Sequence, residues 1–394
     1  MIHPRYLIPF IVEDLERNKM VFIAGPRQVG KTTLARSIGD TTFAGDYLYL
    51  NWDVIDDRRA ILSRKFSTNH ALVIFDEIHK YRIFKNYLKG LYDDPRRTYR
   101  IIVTGSAKLD IYRRGSDSLQ GRYFLYHLHP FSFAELSEKT PIIQEPKAEL
   151  SFQNNGAVGH NLQDLLRFGG FPESYIGQDD TLTRRLQDAA GERLVEGDVR
   201  DIELIRDLSG MFHLTQLLPQ RIGSLLSLNA LREDLEIAHG TVSLWMDILE
   251  RFYFHYRLSP WTAKHARSLR KEKKLYLWDW SLVPEVAARF ENIVASHLLK
   301  FVSFFRDTKG YRTELHYLRD KEGHEIDFLV TINDKPWFAV EAKLSDDTPS
   351  KHLRYYQERL RIPYLYQVVS VSDVDTKYRE VRVMSADKFF SGLV

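Results

Sequence analysis

Three stretches of this chain hold residue types at spacings that could do chemistry. The first is "GPRQVGKTT", which sets Gly25, Pro26, Arg27, Gln28, Val29, Gly30, Lys31, Thr32 and Thr33 between an apolar run and a helical one. This is the pattern G-x-x-x-x-G-K-T, a glycine loop whose backbone N–H groups can wrap phosphate oxygens. Glycine permits the wrapping, and the helix that follows adds the partial positive charge of its N-terminus. Lys31 is expected to reach the β- and γ-phosphates of a nucleoside triphosphate, and the Thr32 hydroxyl to ligate Mg²⁺.

The second stretch is "ALVIFDEIHK", an apolar strand that ends in Asp76 and Glu77. Asp76 is expected to hold Mg²⁺ through water. Glu77 would polarise the water that attacks the γ-phosphate, because phosphoryl transfer depends on positioning and charge neutralisation. The competing reading of "DE" is a helix start capped by Asp76. A further apolar run, "RIIVTGS", ends in Thr104 and Ser106, candidate sensors of the γ-phosphate. Arg122 is the leading candidate for a charge that reaches a phosphate, in its own chain or in a neighbouring copy. Arg113 and Arg114 compete with it, and an ordinary surface arginine is the alternative. Together these residues imply ATP and Mg²⁺ as cofactors, with Lys31 and Glu77 catalytic.

The third stretch is "HEIDFLVTINDKPWFAVEAKLS", residues 324–345. Side chains alternate along a strand, so Glu341 and Lys343 share a face while Ala342 points away, and Asp327 on the adjacent strand can join them. Converging carboxylates bind a divalent cation, Mg²⁺ or alternatively Mn²⁺. The lysine would stand beside a water attacking a phosphodiester. Glu291, on the preceding helical segment, could extend the set. The pattern is D-xn-E-x-K, with Asp327, Glu341 and Lys343 as catalytic candidates and Glu291, Asp327 and Glu341 as metal ligands. The plainer alternative is a buried acid–lysine pair without metal.

Stepping outward, these clusters need an α/β frame. The chain has 394 residues, 44% hydrophobic and 13% aromatic, enough for several cores. It contains no cysteine, which excludes disulfides and thiolate zinc sites and fits a reducing, cytoplasmic setting. Its apolar runs are too short to cross a bilayer, and its first residues do not resemble a signal peptide. The expected organisation is a P-loop core over 1–140, a helical lid over 141–208, a winged helix over 209–282 and a C-terminal α/β domain over 283–394. In the third segment Asn229 is expected to cap a helix and Gly240 to end it. Val242, Trp245, Ile248, Leu249 and Phe252 form an apolar stripe on the next helix. "FYFHYRLSP" and "KLYLWDW" would be the strands of a wing. Between them lie Lys264, Arg267, Arg270, Lys271, Lys273 and Lys274, an electrostatic footprint for DNA phosphates. Asp247 and Glu250 would repel phosphate from the third helix, so a wing that touches protein is the alternative. A net charge of +3 keeps any nucleic-acid footprint local.

In order, "GPRQVGKTTL", "FDEIHK", "TGS", "LQGR…HPFSFAEL", "GGFPE", "FENIVASHLL", "YLRDKEGHEIDFLV" and "VEAKLS" resemble bacterial and archaeal AAA+ ATPases related to the STAND class. Those proteins carry a C-terminal PD-(D/E)XK nuclease-like domain of unknown function. The resemblance implies an ATPase core with lid, a winged helix and a restriction-endonuclease-like fold. It also implies Asp327, Glu341, Lys343 and Glu291 as the second metal site. Ala107 departs from the small polar residue usual after "TGS". The function expected is an ATP-hydrolysing protein associated with duplex or branched DNA, acting as a homo-oligomer and without membrane contact. The rivals are an ATPase whose nuclease fold grips DNA without cutting, and a signalling switch that acts through protein partners.

Overall fold

The computed structural model describes residues 3–105, 119–137, 142–153, 159–199, 205, 207–262, 272–345 and 348–394. The chain divides into two compact units, Met1–His129 and Pro130–Val394. The division thus falls before the expected boundary at 140, and the three later segments lie together in the second unit.

In the first unit β1 (Met20–Ala24), β2 (Tyr47–Asn51), β3 (Leu72–Asp76), β4 (Arg100–Gly105) and β5 (Tyr123–His127) form one sheet in the order β2-β3-β4-β1-β5. Every pairing is parallel. β1 and β3 are buried at each residue, which explains why "MVFIA" and "LVIFD" are continuous apolar runs and not alternating ones. Phe22, Phe75 and Val103 pack with Tyr87 and Leu88 of the helix Phe84–Tyr92 to form the core. The helix Lys31–Thr41 starts directly from the glycine loop after β1. An open parallel sheet takes its ligand at the carboxyl ends of its strands, where this loop and Asp76 lie.

The second unit begins with the short helix Phe133–Leu136, followed by helices Gly159–Phe168, Pro172–Gly177 and Asp180–Glu192 and a π-helical turn over Arg193–Val199. "GGFPE" is the break between the first two. Gly170 lies under the Trp280 ring, which would overlap a Cβ there, and the indole N–H of Trp280 donates to Leu165 O at 2.6 Å. Helices Leu208–Leu217, Leu228–Asp234 and His239–Arg251 precede an antiparallel hairpin of β6 (His255–Leu258) and β7 (Lys274–Leu277). The apolar stripe is buried as expected. The caps differ: Ser227 accepts from Ala230 N, so Asn229 lies inside its helix, and Gly240 sits in the first turn of the next helix. Asp247 and Glu250 do not stand as free charges, because both hold the guanidinium of Arg257 on β6.

A six-stranded sheet completes the unit in the order β12-β13-β11-β10-β9-β8. β8 (Thr313–Arg319), β9 (Glu325–Ile332) and β10 (Lys335–Lys343) form an antiparallel meander. Asn333 and Asp334 both take positive φ in the two-residue turn between β9 and β10, the hairpin geometry that Asn and Asp tolerate. The helix Lys351–Leu360 crosses over to β11 (Tyr364–Val369), which runs parallel to β10 and to β13 (Val381–Ser385), and β12 (Asp375–Tyr378) closes the edge. Leu353 and Tyr356 of that helix pack on Leu329, Ala339 and Leu365 of the sheet. The helix Val286–Lys309 packs on the sheet through Phe301, whose ring lies 5.6 Å from Trp337. Glu285 caps its start and Gly310, at φ 70°, ends it. No helix among the described residues is long and apolar enough to cross a membrane.

Candidate functional sites

The glycine loop is shaped by close packing. Gly25 abuts Leu128 O so closely that a Cβ would overlap the carbonyl, and Gly30 takes φ 97° at the helix start. Arg5, buried and distant in sequence, donates to Val29 O at 3.4 Å and to His129 O, bracing the loop from beneath. The Lys31 ammonium folds over the loop and donates to Pro26 O at 2.7 Å and Gly25 O at 3.1 Å. A triphosphate can take over those donors, since each is a charge-assisted bond to a neutral carbonyl.

Asp76 is the hub. Its Oδ2 accepts from Thr32 Oγ1 at 2.7 Å and from Tyr49 OH at 2.6 Å, and its Oδ1 accepts from the Thr104 hydroxyl. Thr104 thus orients the Asp76 carboxylate. Thr32 and Asp76 present adjacent oxygens of the kind Mg²⁺ takes, so the residues present fit the ion. Glu77 follows with φ 56°, its backbone N–H donating to Thr104 O. Burial pushes the Glu77 carboxyl above its ordinary value, with Lys31 pulling it down and Asp76 pushing it up. Its Oε2 is buried without a hydrogen-bond partner among the described residues, 3.6 Å from His79 and 4.0 Å from Lys80. A carboxylate held this way beside a phosphate loop is suited to orient a water.

One expectation changes here. Arg122 lies at the amino end of β5, where its carbonyl accepts from Met20 N, and it pairs with Asp93 at 2.8 Å. The parallel register thus sets it at the opposite end of the sheet from the loop, so Arg122 does not reach its own chain's phosphates. Ser106, Arg113 and Arg114 lie outside the described residues.

The second cluster forms around β9 and β10. Lys343 Nζ stands 3.0 Å from Glu341 Oε1, and Asp327 Oδ2 accepts from Ala342 N at 3.1 Å, so the three residues of D-xn-E-x-K do converge. Glu341 Oε2 is buried and has no hydrogen-bond partner among the described residues. Burial, then the charge of Asp327, pushes the Glu341 carboxyl up to about 8. Glu291 accepts from Tyr276 OH at 2.7 Å, and burial followed by Asp327 raises it to about 7. A Cβ on Gly223 would lie 2.8 Å from Glu291 Oε2, so that turn closes over the acid. On β11 the side chain of Gln367, the register partner of Glu341, accepts from Ser350 N and donates to Thr348 O. Asp327, Glu341 and Glu291 carry the oxygens a divalent ion takes, but among the described residues the group whose ligand atoms lie close enough to share one ion is Asp320, Glu322 and His324, not these three.

The main correction concerns Lys274. It does not face solvent with the basic run; only 2% exposed, it sits 2.6 Å from Glu325 Oε1, 3.2 Å from Asp327 Oδ1 and 3.4 Å from Glu291 Oε1. Burial works against its charge, but Asp327, Glu291 and Glu325 outweigh that and raise its pKa, so it remains an ammonium. Glu325 also pairs with Arg319 at 2.6 Å. Strand alternation could have shown both: Lys274 shares a face with Tyr276, and Glu325 with Asp327. Lys273 is half-buried, while Lys264, Arg267, Arg270 and Lys271 lie outside the described residues.

Comparison with known families agrees with the first site. Residues 17–137 match a family described as an AAA domain. Residues 159–292 and 287–389 match two domains of unknown function, DUF8612 and DUF4143. The glycine loop, Asp76 and Glu77 all lie within the residues that match the AAA domain family. Similar curated proteins are uncharacterized. One from Mycobacterium tuberculosis is 24% identical over 357 residues, 86% of this chain and 74% of that protein. One from Methanocaldococcus jannaschii is 26% identical over 390 residues, 88% of this chain and 80% of its own. Among solved structures, a Walker-type ATPase of Pyrococcus abyssi aligns with TM-score 0.41 at 14% identity, covering 73% of this chain and 96% of that one. The RuvB Holliday junction branch migration motor of Thermotoga maritima aligns with TM-score 0.33 at 20% identity, covering 65% and 92%.

Proposed function

We propose that the protein binds and hydrolyses ATP and couples its nucleotide state to DNA held by the C-terminal unit. The observation that carries this reading is the Lys31–Thr32–Asp76–Glu77 constellation at the carboxyl ends of β1 and β3. Lys31 would neutralise the phosphates, Thr32 and Asp76 would hold Mg²⁺, and Glu77 would take the proton from the attacking water. Bound Mg²⁺ would supply neutralisation of the triphosphate charge.

Two features support the DNA half: the basic residues Lys264, Arg267, Arg270 and Lys271 in the sequence between β6 and β7, and the acid–lysine cluster at Asp327, Glu341 and Lys343. We read the segment 209–282 as a winged helix and 283–394 as a PD-(D/E)XK nuclease-like domain. In that reading a divalent ion would supply an activated water, Asp327, Glu341 and Glu291 would hold it, and Lys343 would stand beside the phosphodiester. The placement of Lys274 among the acids favours the second reading, in which this domain grips DNA without cutting it.

The test is to incubate the protein with duplex, fork and four-way junction DNA, with and without ATP and Mg²⁺ or Mn²⁺, scoring shift and cleavage together. Charge reversal of Lys264, Arg267, Arg270 and Lys271 should weaken the shift. No shift at low salt, and no effect of the reversal, would favour a switch that acts through protein partners.

A further inference from the structure

We infer that Lys274 serves as a built-in cation of the C-terminal acid cluster and that a divalent ion must displace it to bind there. The inference rests on reading that cluster as a cation site. Its ammonium contacts three carboxylates at 2.6–3.4 Å: Glu325 and Asp327 from β9 and Glu291 from the helix Val286–Lys309. These are not separate surface pairs. The lysine is 2% exposed, and the oxygens converge on one nitrogen from two separate elements, the helix Val286–Lys309 and β9.

The surrounding charges fit this role. Four acids, Glu291, Glu325, Asp327 and Glu341, face three bases, Lys274, Arg319 and Lys343. Removing Lys274 would leave three partly buried carboxylates facing one another, and a divalent ion is the species that best offsets such a cost. With Lys274 in place, a divalent ion would bring two charges into a cluster that is already nearly balanced, and the buried ammonium would lose its partners. β7 holds the lysine there: Leu275, Tyr276 and Leu277 are buried, Tyr276 itself donates to Glu291, and Asn292 bonds both backbone groups of Leu277. Lys274 thereby sets cation affinity in this domain. It lets the sheet hold a compact, structured acid site without metal, as a DNA-gripping module would need.

The experiment is Mn²⁺ titration by calorimetry, with melting curves in Mn²⁺ and in EDTA, on the wild-type full chain, Asp327→Asn, Lys274→Met, Lys274→Gln and Lys274→Met/Asp327→Asn. Wild type should bind Mn²⁺ no tighter than about 1 mM, with equal melting points in both buffers. Lys274→Met should bind at least about tenfold tighter and melt higher in Mn²⁺ than in EDTA, and the added Asp327→Asn should abolish both gains. Lys274→Gln is the better-folding companion, since its amide can still donate to the acids. Wild-type binding below about 0.1 mM that Asp327→Asn removes would overturn the inference and leave the cation site standing, however the variants fold. Mn²⁺ binding by neither wild type nor either lysine variant would overturn the inference together with the cation-site reading.

Discussion

The Thr32 hydroxyl donates to Asp76 Oδ2 at 2.7 Å, joining the end of the phosphate loop to the end of β3 across 44 positions of sequence. Tyr49 and Thr104 donate to the same carboxylate from the flanking strands. Asp76 is thus aimed by three hydroxyls on three separate elements. Tyr49→Phe removes one of them. Losing a hydrogen bond to a charged group costs about 1.5 kcal/mol, or roughly tenfold in an equilibrium. The Mg²⁺ concentration for half-maximal ATP turnover should rise by about that factor, with melting little changed; an unaltered Mg²⁺ curve would remove Tyr49 from the site.

Arg5 is invisible to motif reading, because it meets the loop through backbone carbonyls, those of Val29 and His129, and so leaves no side-chain pattern. Arg5→Ala should loosen the loop and weaken ATP binding by about tenfold at unchanged Mg²⁺ dependence. Nucleotide titration by fluorescence checks it, and equal affinity would make the brace purely structural.

Lys300 lies buried in the second unit. Its ammonium donates to Pro130 O at 3.1 Å, to Ser132 Oγ at 3.0 Å and to the carboxylate of Glu135, which also closes a capping box with Ser132. Breaking a buried pair from one side costs about 3–5 kcal/mol. Lys300→Met should therefore lower urea stability by that amount. Adding Glu135→Gln, which keeps the cap and removes the charge, should restore more than half. Equal stabilities of the single and double variants would contradict the pairing.

Two buried histidines make acid sensitivity predictable. Burial holds His255 down to about 4 and His297 down to about 3. His297 Nε2 accepts from Phe133 N at 3.0 Å and Nδ1 donates to Ile293 O at 2.8 Å, which requires the neutral ring. The unfolded chain takes up protons on both near pH 6.5 and the folded chain does not. Stability is therefore full above about 6.5 and falls as pH drops toward 4, with a combined slope approaching about 2.7 kcal/mol per pH unit. Urea unfolding at pH 7 and pH 5 measures it. His297→Gln should show a shallower acid slope than wild type; the same slope would assign the loss elsewhere.

What the sequence made legible follows from locality. The phosphate loop, Asp76 and Glu77, the burial of "MVFIA" and "LVIFD", and the hairpin carrying Asp327, Glu341 and Lys343 are set by neighbours within a few residues, so pattern alone exposes them. Lys274 misled because it ends a basic run, and composition cannot distinguish the last charge of a loop from the first residue of a buried strand. Its partners lie 17, 51 and 53 positions onward. Arg122 misled for a related reason: only the parallel register, unreadable from one strand, sets it at the far end of the sheet. Asn229 and Gly240 were plausible caps beside a better one, Ser227.

The central claim is that Lys31, Thr32, Asp76 and Glu77 form one ATP-hydrolysing site. It is tested most directly by measuring ATP binding and phosphate release together for wild type, Lys31→Ala and Glu77→Gln in Mg²⁺. Lys31→Ala should lose binding on the order of 100-fold, matching about 3 kcal/mol of charge-assisted hydrogen bonding. Glu77→Gln should bind ATP like wild type while releasing phosphate at least about 100-fold more slowly. Wild-type turnover by Glu77→Gln, or undiminished ATP binding by Lys31→Ala, would contradict the account.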